Sequence, residues 1–205
     1  IEFTNERIIP SGGLAVVGAI LGKSDFVKKL NRMDVTKNRS QHQIKNGDIL
    51  LTYIGMLCMG KPQFDAVREM EDDPEFYKYA LGVAYKIPSE ETLRQRMDDI
   101  GRTIRSQILQ ENVEMLRANG IHPAKLKEGY VPVDADVTPM DNSKTKKEGV
   151  SRTYKGYDGF APMLAYIGTN GYLVNTELRE GSQHCQCGTP EFLKETIGLC
   201  KQITD

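Results

Sequence analysis

The residues of this chain best suited to chemistry are Asp134 and Asp136, set one residue apart in Val131-Pro132-Val133-Asp134-Ala135-Asp136-Val137-Thr138. Val131, Val133, Ala135 and Val137 alternate with them at the period of a β-strand. The two carboxylates therefore share one face of the pleat and the apolar side chains take the other. A charge withdrawn from water needs a partner or a metal ion. Read as a buried strand, the segment points to a bound cation. The alternative is an edge strand with one solvated face, because antiparallel sheets often have a wet side.

Other groups could act beside this pair. Lys144, Lys146 and Lys147, with Arg152 and Lys155, make a basic stretch after the acidic strand, and Lys37 to Lys45 with Arg39 and His42 make another. The chain as a whole has a net charge of -1 and gives no electrostatic case for nucleic acid. The local excess does, and its place beside the carboxylates points to phosphate-backbone contact; solvated lysines are the competing reading. Arg179 suits either a DNA phosphate or a carboxylate partner. Thr92, Arg94, Gln95 and Arg96 follow a short helix and a turn. They fit a recognition helix, or a solvated face, as Asp98 and Asp99 suggest. Tyr154 and Tyr157 can stack on unpaired bases or pack against the strand. His184-Cys185-Gln186-Cys187 lacks a second ligand pair at zinc-site spacing. With Cys58 and Cys200 it forms no disulfide framework, so reduced thiols in the cytoplasm are expected.

These residues need elements to hold them. Up to about Gly120 the pattern is helical. Gly12-Gly13 precede the apolar run Leu14 to Leu21, and Ser24 caps a helix to about Arg32. Asn46-Gly47-Asp48 opens an apolar helix that Gly60-Lys61-Pro62 ends. Phe64, Val67 and Met70 recur at spacing three, and Asp73-Pro74 restarts the chain. Ser89 is a plain N-cap, since Thr92 stands where a capping box needs Glu or Gln. Ile104, Ile108, Leu109, Val113 and Leu116 form a stripe closed by Asn119-Gly120, a pattern typical of core. From Ile121 the periodicity changes. Pro162 to Ile167 and Tyr172 to Leu178 flank Thr169-Asn170-Gly171, a hairpin signal. Thr189 then reads as the N-cap of a helix with Pro190 at its first position.

With 205 residues, 39% hydrophobic and 27% charged, the composition is that of a globular protein with a real core. The longest apolar run, near Leu14 to Leu21, is too short to cross a bilayer, and no basic segment precedes it as in a signal peptide. The first residue is Ile, so a fragment or processed chain is expected.

Several segments in fixed order carry a resemblance. They are Asn46-Gly47-Asp48-Ile49-Leu50, Asp72-Asp73-Pro74, Pro88-Ser89 with Thr92-Leu93-Arg94-Gln95-Arg96, and Val133 to Thr138. Lys155-Gly156-Tyr157-Asp158-Gly159-Phe160-Ala161-Pro162 and Leu178-Arg179-Glu180-Gly181-Ser182 complete the set. Over most of its length the chain resembles the DDE transposases of bacterial insertion sequences. The resemblance implies a mixed α+β or α/β chain: an all-helical, DNA-binding domain over 1–122, then over 123–205 the first half of a ribonuclease H-like fold, three antiparallel strands and a helix. It implies an Asp-Asp-Glu triad holding two magnesium or manganese ions for in-line attack on a DNA phosphodiester. Asp136, ahead of Thr138, is the favoured first Asp, and Asp134 is the other candidate or a positioning partner. Lys144, Lys146, Lys147, Arg152, Lys155, Arg179, Arg94 and Arg96 are the expected DNA contacts. The implied partners are terminal inverted repeats, target DNA and a second copy on DNA, in the bacterial cytoplasm at the nucleoid and without a membrane. The second Asp and the Glu would lie past Asp205, so a truncated, inactive piece is expected, with a non-catalytic DNA-binding or dimerisation module as the alternative.

Overall fold

The computed structural model describes residues 11–33, 43–101 and 103–204, and the chain divides into two compact units, Ile1–Ser106 and Gln107–Asp205. Most of the basic stretch Lys37 to Lys45 lies outside the described residues.

In the first unit, α1 (Leu14–Leu21), α2 (Phe26–Arg32) and α3 (Asn46–Cys58) are followed by a 3-10 turn, Phe64–Val67, that runs into α4 (Arg68–Glu71). The spacing of three shared by Phe64, Val67 and Met70 is the 3-10 period, and Val67 and Met70 are fully buried. Pro74 starts α5 (Pro74–Leu81), where its missing N–H has no helical partner to lose, and Gly82 ends it at φ 75°. Ser89 stands ahead of α6 (Glu90–Gly101), and its hydroxyl accepts from the Thr92 amide at a long 3.5 Å. Leu30, Ile49, Leu51, Met56, Leu93 and Ile100 form the interior.

Asn46-Gly47-Asp48 is a polar knot in this core. Asn46 Nδ2 donates to the carbonyls of Leu30 and Met33, at 3.3 and 3.2 Å, and the Gly47 amide donates to Asn31 Oδ1 at 2.8 Å. A Cβ on Gly47 would press on the Val27 and Asn31 side chains. Asp48 is fully buried and accepts the Ala84 amide at 2.9 Å and the Tyr85 amide at 3.0 Å. A buried carboxylate with two such donors, at a helix N-terminus, fixes a loop against that helix.

The second unit contains nearly all of α7 (Arg105–Ala118), whose Leu109 and Val113 pack with Leu199 and Ile203. The boundary between the compact units falls at 106/107, ahead of the 122/123 division that the resemblance implies. After α7 come β1 (Val133–Val137), β2 (Met140–Asp141), β3 (Ser151–Arg152), β4 (Asp158–Phe160), β5 (Met163–Ile167), β6 (Tyr172–Glu177) and α8 (Thr189–Cys200). Two antiparallel three-stranded sheets result, ordered β1-β5-β6 and β2-β4-β3. The first contains the expected three strands, with Gly171 at φ 70° in the hairpin turn and a bulge at Ala165/Tyr166. Ala165, Ile167 and Val174 meet Phe192 of α8 beneath it. The architecture is mixed α+β. Among the described residues no helix is long and apolar enough to cross a membrane.

Two expectations are corrected. β1 is not a buried central strand: β5 holds the centre, β1 lies at the sheet's edge, and even Val133 is 40% exposed. The carboxylates stay hydrated, as the edge-strand alternative requires, and their burial no longer argues for a bound cation. Thr189 is not the N-cap of α8. Gly188 is, at φ 73°, while Thr189 sits in the first turn and its hydroxyl donates to the Cys185 carbonyl. The left-handed turn at Gly188 moves the start of the helix back by one residue.

Candidate functional site

β1 lies in register with β5, Asp134 opposite Tyr166 and Asp136 opposite Leu164. Ala135 and Val137 pack toward the core cluster, so Asp134 and Asp136 project together from the exposed face. Asp136 Oδ1 accepts the adjacent Val137 amide at 2.8 Å. Among the described residues neither carboxylate has a Lys, Arg or His partner in a salt bridge. Asp136 lines two cavities, of about 590 and 520 Å³.

The basic stretch leaves this face on the second sheet. Asp141 ends β2 and accepts the hydroxyl and amide of Ser143, with Lys144 adding its charge; these hold its carboxyl below the usual carboxylate range. The turn they fix presents Lys144, Lys146 and Lys147, all exposed. Arg152 of β3 makes a loose 3.5 Å pair with Asp158, both side chains more than half exposed, a pair worth little. Lys155 Nζ sits 5.4 Å from the Tyr154 ring centroid. Tyr154 is 70% exposed and lines the larger cavity, whereas Tyr157 donates to the Pro139 carbonyl at 3.1 Å and serves packing.

The second strip of this surface comes from Leu178-Arg179-Glu180-Gly181-Ser182. A Cβ on Gly181 would overlap the carbonyl oxygens of Ser151 and Gly159, and one on Gly159 would overlap that of Met140. These glycines let backbones meet where no side chain fits. The Ser182 amide then donates to Ser151 Oγ at 2.9 Å, which brings Ser182, Gln183 and His184 to the cavity wall beside Asp136. Spacing alone could not bring this strip to β1, since it depends on a tertiary contact; the glycine between Glu180 and Ser182 was the available signal.

The remaining basic candidates are placed differently. Arg179 is 3% exposed: Nε donates to Glu177 at 2.8 Å, one terminal nitrogen donates to Thr189 Oγ1 at 3.1 Å, and the guanidinium lies 5.7 Å from the Phe192 ring. It has the carboxylate partner weighed in sequence. Arg96 is buried, donating to the Ile44 carbonyl at 2.7 Å and to Asn46 Oδ1. Arg94 is exposed but bound to Glu91 at 2.8 Å through both carboxylate oxygens. Neither arrangement is the free row of donors that a major-groove helix presents.

A family model described as transposase DDE domain group 1 matches residues 1–204. The chain belongs to that family. No curated protein and no solved structure matches it. Members of the DDE transposase family act on DNA and generally use divalent metal ions.

Among the described residues no group of three His, Cys, Asp or Glu side chains is gathered closely enough to hold a metal. Two hydrated carboxylates on one strand face still fit magnesium, which keeps several waters and is commonly bound through one or two carboxylates plus substrate phosphate. They are a poor fit for a preformed structural site.

Proposed function

We propose that the second unit is the DNA-facing, cation-holding part of a transposase that cleaves and transfers insertion-sequence DNA, with Asp136 as the principal ligand and Asp134 beside it. What supports this reading is the family match together with two carboxylates on one face of β1, neither of them in a salt bridge among the described residues. Asp136 is favoured because it lines the cavities. A divalent ion held there when DNA is bound supplies charge stabilisation at the scissile phosphate. The chain's own residues do the rest. Lys144, Lys146, Lys147 and Arg152 hold the phosphate backbone, and the Gly181 contacts hold that ribbon against the 178–182 strip. Arg179 and Arg96 act in packing; Arg94 is the exposed member of the α6 pair. A ribonuclease H-like reading of the unit is supported by the order β1-β5-β6 followed by α8. Terminal inverted repeats of a bacterial element are the proposed DNA.

The electrostatic part has a direct test in duplex binding across a salt series. The association constant falls with salt at a slope of about -0.9 per phosphate neutralised. Replacing Lys144, Lys146 and Lys147 together by Ala reduces that slope's magnitude by roughly 2 to 3. An unchanged slope removes the ribbon from the interface. A non-catalytic DNA-binding module remains the second reading, favoured by the lack of a third gathered ligand; it keeps this salt dependence and shows no cation dependence.

A further inference from the structure

Cys185 and Cys187 stand two residues apart on an exposed turn ahead of α8, both as free thiols. We propose that they are a redox-active pair, closed to a disulfide by exchange with a low-molecular-weight disulfide such as oxidised glutathione and reopened by the corresponding thiol. This chemistry is independent of the cation and DNA reading of β1.

The turn holds the pair together. The Cys187 amide donates to the His184 carbonyl at 2.9 Å, and the Gln186 amide donates to His184 Nδ1 at 3.3 Å. Each cysteine's carbonyl is tied by a neighbouring side chain: that of Cys185 accepts the Thr189 hydroxyl, and that of Cys187 accepts Gln183 Nε2 at 3.0 Å. Thr189 is in turn anchored by the buried Arg179, which fixes the loop to the start of α8. Two Cα steps of about 3.8 Å, bent at a turn, end about 5.5 Å apart, inside the span of about 4.4 to 6.8 Å that a disulfide bridges. A bridge over one intervening residue closes a small, strained ring. Strained, exposed disulfides are the ones that thiols reopen, which suits a reversible pair better than a structural crosslink.

The exchange balances in two steps. One thiolate attacks a sulfur of the small disulfide, forming a mixed disulfide and releasing one small thiolate. The other cysteine, its proton lost to solvent, attacks the protein sulfur of that bond and expels the second small thiolate. Two protein thiols are oxidised, the small disulfide is reduced to two thiols, and the sulfur–sulfur bond passes to the turn. Cys58 supplies an internal reference, being exposed with no other cysteine near it in sequence, whereas Cys200 is buried.

The test treats the reduced full chain with excess oxidised glutathione, blocks the remaining thiols by alkylation and maps the products by peptide mass spectrometry. The expected result is a glutathione adduct on Cys58 and an adduct-free bridge between Cys185 and Cys187. Because the second step is intramolecular, adduct on the turn should stand on the order of tenfold below that on Cys58. Cys185→Ser should leave a stable adduct on Cys187, and Cys187→Ser one on Cys185. Dithiothreitol should return both wild-type thiols to alkylation. Adducts on Cys185 or Cys187 of wild type as complete as on Cys58, a bridge from either to Cys58, or both thiols still alkylated once Cys58 has reacted overturns the proposal. Both positions are exposed, so serine does not endanger the fold.

Discussion

Asp48→Ala is expected to lower the unfolding free energy by roughly 2 to 3 kcal/mol, because it removes the charged acceptor of two amides at once. The Ala84 and Tyr85 amides lie 2.9 and 3.0 Å from the carboxylate, which is fully buried although both of those residues are exposed. The loss includes the favourable placement of a negative charge in the first turn of α3. Asp48→Asn keeps one acceptor but turns an N–H toward the second amide, so it falls between wild type and Ala. Urea unfolding followed by far-ultraviolet circular dichroism measures this. A loss below about 1 kcal/mol, the value of an ordinary exposed substitution, would show that the 84–85 loop is not held this way.

Arg179→Met tests whether the buried arginine works inside the second unit or on DNA. Its guanidinium joins Glu177 on β6 to Thr189 at the start of α8 and lies against Phe192. Removing one partner of a buried pair costs about 3 to 5 kcal/mol. Glu177 keeps about a third of its side-chain exposure and can rehydrate, so the expected loss is nearer 2 kcal/mol. Arg179→Lys should not restore it, since an ammonium cannot reach both partners and lie flat on the ring. The measured pair is stability and duplex affinity. Lower stability with DNA affinity unchanged for the folded fraction supports the packing role. Full stability with weakened DNA binding contradicts it.

Local signals were legible where one residue type decides local geometry. Asp73-Pro74 started α5, Asn170-Gly171 turned the β5–β6 hairpin, and the helix expected from spacing three at Phe64, Val67 and Met70 forms as a 3-10 turn over Phe64–Val67 that runs into α4 at Met70. The face shared by Asp134 and Asp136 was equally readable, because alternation is a property of the strand alone. Its burial was not, because a strand's place in a sheet depends on partners elsewhere in the chain. The two-residue strands β2 and β3 are too short to show any period. Arg96 reads in sequence as a candidate DNA contact, although Leu93, Arg96 and Ile100 share one helical face and that spacing points inward. Asn46-Gly47-Asp48 read as a helix start; that it also ties down α2, α6 and the 84–85 loop needed the tertiary structure.

The claim on which the functional account turns is that β1 presents oxygen ligands to a divalent ion at a DNA phosphate. Manganese binding to the full chain with duplex DNA present, followed by electron paramagnetic resonance of the free ion, addresses it most directly. Asp136→Asn is expected to weaken manganese binding by roughly tenfold or more, on the order of the loss seen even for groups that merely orient a ligand. A smaller loss is expected for Asp134→Asn. Equal manganese affinity for wild type and Asp136→Asn would contradict that claim.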